Sequence, residues 1–346
     1  MARKDTKPEV QHYVPKFYLR GFLREPSKKQ QICVFDKHEE KSFVSNISNI
    51  AGETSFYEFG PDENRGVIEN IFSKLETSSS SAIQQLLEQK TLAGLSDVER
   101  GWLAAFIASQ NLRTRHFREV IRSLNSEYTS RFERRGIDPK KVKGFRAIES
   151  EEELTAISLQ RFAENIKEHS ALIGGKACCL TTTTKDRPFW VSDHPVVLHN
   201  DEDFGPYGNI GLALPGIQIY MPLNSTTLLL LWCPTVLEKI KKEFRTFNEL
   251  KARFNVRKAL GYQVDHWVNH QIELESQRLS RNNEELFNAF KNGTTIPATA
   301  ENVDFYNSLQ VNWSHRYVMS PINNFELVER MIADSSKFKT GMKPHF

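Results

Sequence analysis

The chain has 346 residues, of which 39% are hydrophobic and 26% are charged, a balance typical of a folded globular protein rather than a disordered one. Its formal net charge of +3 neither requires nor excludes nucleic acid as a partner. The longest apolar run, residues 228–233, is too short to span a bilayer. Because the N-terminus also lacks a secretory signal and the 4 cysteines form no CxxC pair, we expect a cytoplasmic protein with no membrane partner.

The beginning of the chain predicts a short helix followed by a β-hairpin. Residues 1–10 are expected to form a disordered leader. Pro15 suits the first turn of a short helix that ends near Phe22. Residues 31–36 and 42–44 have the β-branched and aromatic content of two strands, and the polar residues between them indicate a turn.

Long helices are predicted next. Residues 64–89 place apolar side chains at helical spacing. Ser96 followed by Glu99 is the pattern of a capping box, and the helix that it opens is expected to run through Ile121. After an exposed connection, residues 151–168 form a further predicted helix.

The second half of the chain predicts a β-rich section and then helices again. Candidate strands are residues 177–182, 189–192, 217–221 and 226–232. A helical pattern covers 234–292, and residues 293–346 are interpreted as an extension packed on the domain, in which the mixed segment 305–318 is assigned little structure. Since no Pro/Gly/Ser-rich linker separates the halves, we predict a single α+β domain over residues 11–292, with long helices packed on a small, mostly antiparallel sheet.

Asp193 is the strongest acidic candidate for a functional site. It lies where a predicted strand runs into a turn, and Pro195 restricts His194 to extended geometry. A carboxylate at a strand end is held by rigid backbone and suits metal binding or acid–base chemistry. Alternatively, Ser192 and Asp193 only bond to their own backbone in a turn.

Gln11 and His12 are a polar pair directly before an aromatic-rich run. His12 has the chemistry of a general base or metal ligand, and Gln11 is expected to contact the substrate. The alternative for His12 is a capping or core histidine bonded to a backbone carbonyl.

Gln110 and Arg113 share one helical stripe with the apolar Phe106, so both are expected to point inward. A buried arginine needs an anionic partner. Asp193, Glu69 or a phosphate of the ligand could supply it, and an ordinary structural ion pair is the alternative.

Other patterns are weaker. Glu69 and Glu76 lie seven residues apart, on one helical face, and could bind a divalent metal or form a solvated surface. His266 and His270 have zinc-binding spacing but lack the glutamate of the HExxH motif. Motifs for dinucleotides, P-loops and α/β-hydrolases are absent from the sequence. Arginines and lysines between residues 113 and 143 could follow phosphates, although glutamates are interleaved with them.

The sequence QHYVPKFYLRGF at residues 11–22 resembles the signature of the bacterial domain-of-unknown-function family 4238. Further similar blocks are residues 32–37, 48–57, 110–113, 192–195 and 269–278. The resemblance covers roughly residues 10–280 and implies that these polar positions belong to one folded unit. It also implies an association with phage-defence genes, but no reaction. His194 departs from the asparagine expected at its position.

These residues lead to one catalytic hypothesis, a metal-assisted hydrolase of phosphodiesters, nuclease-like and acting as a phage-defence effector. Asp193 and Glu69 would hold a divalent cation, Mg or Mn, that activates water. His12 would act as base or ligand, while Gln110 and Arg113 orient the phosphate.

Two other hypotheses stay open. The same residues could form a buried structural network in a non-catalytic binding or sensing module. The protein could also hydrolyse nucleotides or another small phosphorylated molecule. The sequence leaves the substrate and the oligomeric state open.

Overall fold

The fold was analysed in a computed structural model that describes residues 10–25, 29–58, 67–205, 208–262 and 265–342. The predicted leader therefore lies outside the described residues, except Val10, which begins the first strand.

Eleven strands and nine α-helices occur in the described part of the chain. The strands are β1 (Val10–His12), β2 (Gln31–Asp36), β3 (Lys41–Asn46), β4 (Gly52–Thr54), β5 (Ala177–Thr182), β6 (Val191–Ser192), β7 (Val197–His199), β8 (Gln218–Asn224), β9 (Thr227–Trp232), β10 (Thr295–Pro297) and β11 (Tyr317–Ser320). The helices are α1 (Lys16–Leu19), α2 (Val67–Gln89), α3 (Asp97–Leu112), α4 (Arg115–Arg134), α5 (Glu151–Gly174), α6 (Pro234–Ala259), α7 (His266–Asn292), α8 (Ala300–Trp313) and α9 (Glu326–Asp334).

The strands form two main sheets and one small pair. The five-stranded sheet has the order β10-β5-β9-β8-β7, the four-stranded sheet has the order β3-β2-β11-β6, and β1 pairs with β4. Among the described strands, every pairing is antiparallel except that of β10 with β5. The predicted α+β class with mostly antiparallel sheets is confirmed.

One hydrophobic core joins the helices to both sheets. The apolar run that was too short for a bilayer forms β9, which is buried between β5 and β8. Helix α3 packs against α2 and α5, and Phe106 of α3 is fully buried beside the rings of Phe17 and Tyr18. The N-terminal signature segment is therefore part of the core.

Several local predictions are confirmed. Pro15 precedes α1, residues 31–46 form the hairpin of β2 and β3, and Ser96 and Glu99 make both bonds of the capping box that begins α3. Gly293 ends α7 with a φ of 63°, in the left-handed region that glycine adopts without steric cost.

The prediction of one helix from Ser96 through Ile121 is wrong. Helix α3 ends at Leu112, and α4 begins at Arg115 with Thr114 as its N-cap. The Thr114 hydroxyl accepts a hydrogen bond from the backbone N–H of Phe117 at 3.4 Å, which satisfies a donor at the new helix start. The break places consecutive polar residues at the junction of two helices.

The prediction of little structure at residues 305–318 is also wrong, because these residues lie mostly in α8 and β11 of the C-terminal segment, residues 293–346. The described part of this segment contains α8 and supplies β10 to one sheet and β11 to the other. Strand β11 lies between β2 and β6, so the segment is built into the domain rather than only packed on it. These pairings join residues more than 100 positions apart, which local sequence patterns do not encode.

Candidate functional site

A pocket of about 330 Å³ lies between β1, α1 and the start of α2. We name it the His12 pocket. Its polar lining includes Gln11, His12, Lys16, Arg20, Glu69, Ser73 and Glu76, and its aromatic lining includes Tyr57 and Phe72. The structure therefore brings together three of the sequence-predicted residues, Gln11, His12 and Glu69.

His12 is half-buried at this pocket and held by the backbone. Its Nε2 lies 3.3 Å from the carbonyl oxygen of Ile47. A carbonyl only accepts hydrogen bonds, so this contact requires the proton on Nε2 and leaves Nδ1 as the basic nitrogen. Burial, and then the charge of Lys16, lower the pKa of His12, while hydrogen bonds to backbone carbonyls such as that of Ile47 oppose the decrease. A Cβ at Gly52 would lie 3.1 Å from the His12 ring, and glycine there permits this close approach.

Gln11 positions an aromatic residue of the pocket. Its buried side-chain Oε1 accepts a hydrogen bond from the backbone N–H of Tyr57 at 2.5 Å. The Tyr57 ring packs against Phe56 and Phe72, with centroid distances of 5.0 and 4.8 Å. Sequence reasoning noted Tyr57 only as part of a family block. Its hydrogen bond to Gln11 joins residues 46 positions apart, so no local sequence pattern identifies Tyr57 as a site residue.

Gln110 and Arg113 lie directly behind the lining, both buried as predicted. With the Gln110 amide oriented so that both its oxygen and its nitrogen find partners, the oxygen accepts from Nη2 and Nε of Arg113 at 2.7 and 2.8 Å. Arg113 Nη2 also donates to Glu76 Oε1 at 2.7 Å, and the guanidinium carbon lies 4.5 Å from the centre of the Phe72 ring. Glu76, rather than either carboxylate first considered, is the anionic partner that the buried arginine needed.

Asp193 does not line this pocket. It is fully buried, and its carboxylate accepts three backbone N–H bonds of 2.7 to 2.9 Å, from His315, Arg316 and Tyr317. Burial raises the pKa of Asp193, while these bonds and the charge of Lys37 oppose the increase. The alternative prediction, that Asp193 bonds to its own backbone in a turn, is not observed either. Its carboxylate oxygens accept hydrogen bonds from residues more than 120 positions away.

A buried polar network surrounds Asp193. Lys37 has no exposed surface and donates to the carbonyls of Val311 and Ser314, each at 2.7 Å. Burial lowers the pKa of Lys37 to about 8. His194 Nδ1 lies 2.6 Å from the hydroxyl of Thr114. We name Asp193, Lys37, His194 and Thr114 the Asp193 network. Thr114 follows Arg113 in the chain, so the network adjoins the group behind the His12 pocket.

The two residues expected to share a cation are thus in different surroundings. Glu69 is half-buried in the pocket lining, whereas Asp193 is enclosed and bonded to backbone. Within the part of the chain that the structure describes, no group of three or more His, Cys, Asp or Glu side chains is arranged to hold a metal ion.

Comparison with known protein families gives a match over residues 10–322 to the family described as "Protein of unknown function (DUF4238)". The chain belongs to this family. The match includes the His12 pocket, the Asp193 network and the strand β11. Neither the curated proteins nor the solved structures contain a match. None of the described helices is long and apolar enough to cross a membrane.

Proposed function

We propose that the His12 pocket binds a phosphate-bearing ligand, which is either a nucleic acid or a phosphorylated small molecule. One observation carries this proposal: a single cavity joins His12 and Glu69 to the cationic side chains of Lys16 and Arg20. Lys16 and Arg20 are exposed at the pocket and can meet an incoming anion, since exposed cations attract phosphates without a large desolvation cost. Arg113 adds a buried positive charge behind the lining.

The catalytic form of the proposal is metal-assisted hydrolysis of a phosphodiester, by a nuclease-like cytoplasmic protein that acts in phage defence. Magnesium is commonly held by one or two carboxylates together with substrate phosphates, so Glu69 and Glu76 fit this role better than Asp193 does. The cation would lower the pKa of a water molecule. His12 would accept a proton from that water at Nδ1, the nitrogen left basic by the bond to Ile47.

The alternative is a non-catalytic binding or sensing module. The Asp193 network favours it, because the carboxylate first proposed for catalysis makes three structural hydrogen bonds to backbone. In this alternative the pocket binds the same ligands without turnover.

The test compares binding and turnover in one set of proteins. AMP and a labelled single-stranded oligonucleotide are titrated into the wild type, and cleavage is followed with and without Mg²⁺ or Mn²⁺. We expect Lys16→Gln to weaken binding of both probes, because it removes a cation from the mouth of the pocket. We expect Glu69→Gln to abolish the dependence of cleavage on the cation.

Two matched controls carry the same changes elsewhere. Lys242→Gln removes an exposed lysine of α6, and Glu88→Gln removes a carboxylate at the far end of α2. Binding without cation-dependent cleavage supports the sensing module. The proposal is contradicted if neither probe binds the wild type. It is also contradicted if the pocket variants and the control variants change binding and cleavage equally.

A further inference from the structure

Two buried polar atoms at the His12 pocket have no hydrogen-bond partner among the described residues. They are the hydroxyl of Tyr57 and Nη1 of Arg113. Tyr57 is 5% exposed and Arg113 is 4% exposed. Buried donors in folded proteins are nearly always paired, because an unpaired one loses its bonds to water without replacement. Both atoms therefore need an acceptor.

Their surroundings decide where this acceptor comes from. Tyr57 lines the pocket, whereas Arg113 lies behind the lining and contacts two of the lining residues, Phe72 and Glu76. Both Tyr57 and Arg113 pack on the ring of Phe72. The pocket is thus the open space next to the Tyr57 side chain, and Arg113 lies directly behind its lining.

Both groups are donors at neutral pH. A guanidinium has no acceptor atoms. Burial raises the pKa of Tyr57 to about 12, against the opposing charges of Arg113 and Arg118, so the phenol keeps its proton. The pocket consequently has an O–H donor in its lining and a positively charged guanidinium directly behind it, which is the chemistry that recognises an oxyanion.

We infer that the Tyr57 hydroxyl, with the Arg113 guanidinium directly behind it, makes the His12 pocket a receptor for a terminal phosphate group of the ligand. This inference rests on the proposed function, since it concerns the same pocket, and it narrows the ligand class. The pocket volume of about 330 Å³ is at the small end of ligand sites. At the buried end of the pocket, an internal phosphodiester would need room for the chain to continue on both sides of the phosphate. A terminal phosphate needs room for only one such continuation.

Gln11 acquires a defined role in this receptor. Its side chain fixes the backbone of Tyr57, while Gln110 and Glu76 fix the guanidinium of Arg113. Gln11 and Gln110 are positioning residues, because each acts on the ligand through Tyr57 or Arg113.

The experiment uses Tyr57→Phe in the full-length protein, since this change removes only the hydroxyl. Affinity is measured by calorimetry for AMP, for adenosine and for a dinucleotide that has one internal phosphodiester and no terminal phosphate. We expect wild type to prefer AMP, and Tyr57→Phe to bind AMP about tenfold more weakly, the loss of one hydrogen bond to a charged group. The variant should be at least as stable as wild type, because the lost hydroxyl has no partner within the protein.

Tyr220→Phe is the matched control. The Tyr220 hydroxyl is buried but donates to Gln218 Oε1 at 2.5 Å, so its removal should lower stability and leave AMP affinity unchanged. The inference is overturned if wild type binds AMP and Tyr57→Phe binds it equally, or if the dinucleotide binds as tightly as AMP. A stability loss in Tyr57→Phe without an affinity loss also overturns it, because bound water then satisfies the hydroxyl. If none of the probes binds wild type, the proposed function fails as well.

Discussion

At the scale of single residues, Asp193 is buried and makes structural hydrogen bonds, and its carboxylate is not exposed to a ligand. Its carboxylate ties the turn after β6 to three consecutive backbone N–H groups at the start of β11. We predict that Asp193→Asn lowers the free energy of unfolding by about 3 kcal/mol, since an amide supplies one acceptor oxygen and leaves buried donors and Lys37 unmatched. Urea unfolding followed by tryptophan fluorescence measures the loss.

The control is Asp304→Asn, at a carboxylate that is half-exposed and pairs with Arg187 at 2.9 Å. Surface pairs of this kind contribute little, so its unfolding free energy should change by less than about 1 kcal/mol. If Asp193→Asn is as stable as wild type but loses cleavage activity, the prediction is wrong and Asp193 has a catalytic role.

The residues of the site were predictable to different degrees. Gln110 and Arg113 were correctly placed inward, because a helical stripe shared with Phe106 is a local pattern. Tyr57 was not identified, because its position depends on a bond to Gln11 across 46 residues. The role of Asp193 was equally out of reach, since its partners come from the last part of the chain.

At the scale of elements, helix starts are encoded locally and are open to direct test. Ser96 accepts from the backbone N–H of Glu99, and Glu99 accepts from the backbone N–H of Ser96. Ser96→Ala should lower the unfolding free energy by about 1 kcal/mol, because a donor at the start of α3 loses its acceptor. Thermal unfolding measures the change.

Ser81→Ala is the comparison for this element. Ser81 lies inside α2, where its hydroxyl donates to the carbonyl of Ser78 at 3.1 Å, and alanine has the highest helix propensity. We expect no loss of stability in this variant. Equal losses for the two changes would show that the capping box of α3 contributes nothing specific.

The same locality explains which elements the sequence predicted. The hairpin of β2 and β3, the start of α3 and the end of α7 depend on neighbouring residues, and all were predicted. Strands β10 and β11 depend on partners far away in the chain, and they were assigned no strand structure. The break between α3 and α4 rests on one residue, Thr114, whose capping preference was outweighed by the apolar periodicity on both sides.

At the scale of the whole molecule, the Asp193 network links elements from most of the chain. It joins Lys37 after β2, Thr114 before α4 and Asp193 after β6 to the segment between α8 and β11. Burying ionisable groups in this way makes folding depend on pH, because each group's protonation differs between the folded and unfolded states.

His194 gives the clearest pH dependence. Burial lowers its pKa to about 3, from the usual 6.5. As the pH falls through 6.5, the unfolded chain binds a proton that the folded protein excludes, so the unfolding free energy falls with the pH. This term alone amounts to roughly 1.5 kcal/mol between pH 6.5 and pH 5.

His194→Asn removes the titrating group and retains polar atoms that can meet Thr114. Urea unfolding at a series of pH values from 7.5 to 4.5 should therefore show that the variant loses about 1.5 kcal/mol less than wild type between pH 6.5 and pH 5. Part of the slope should remain, because burial also lowers the pKa of His315, to about 4. His266→Asn, at the exposed start of α7, should keep the full slope. An unchanged slope in His194→Asn would mean that the acid sensitivity arises from groups other than His194.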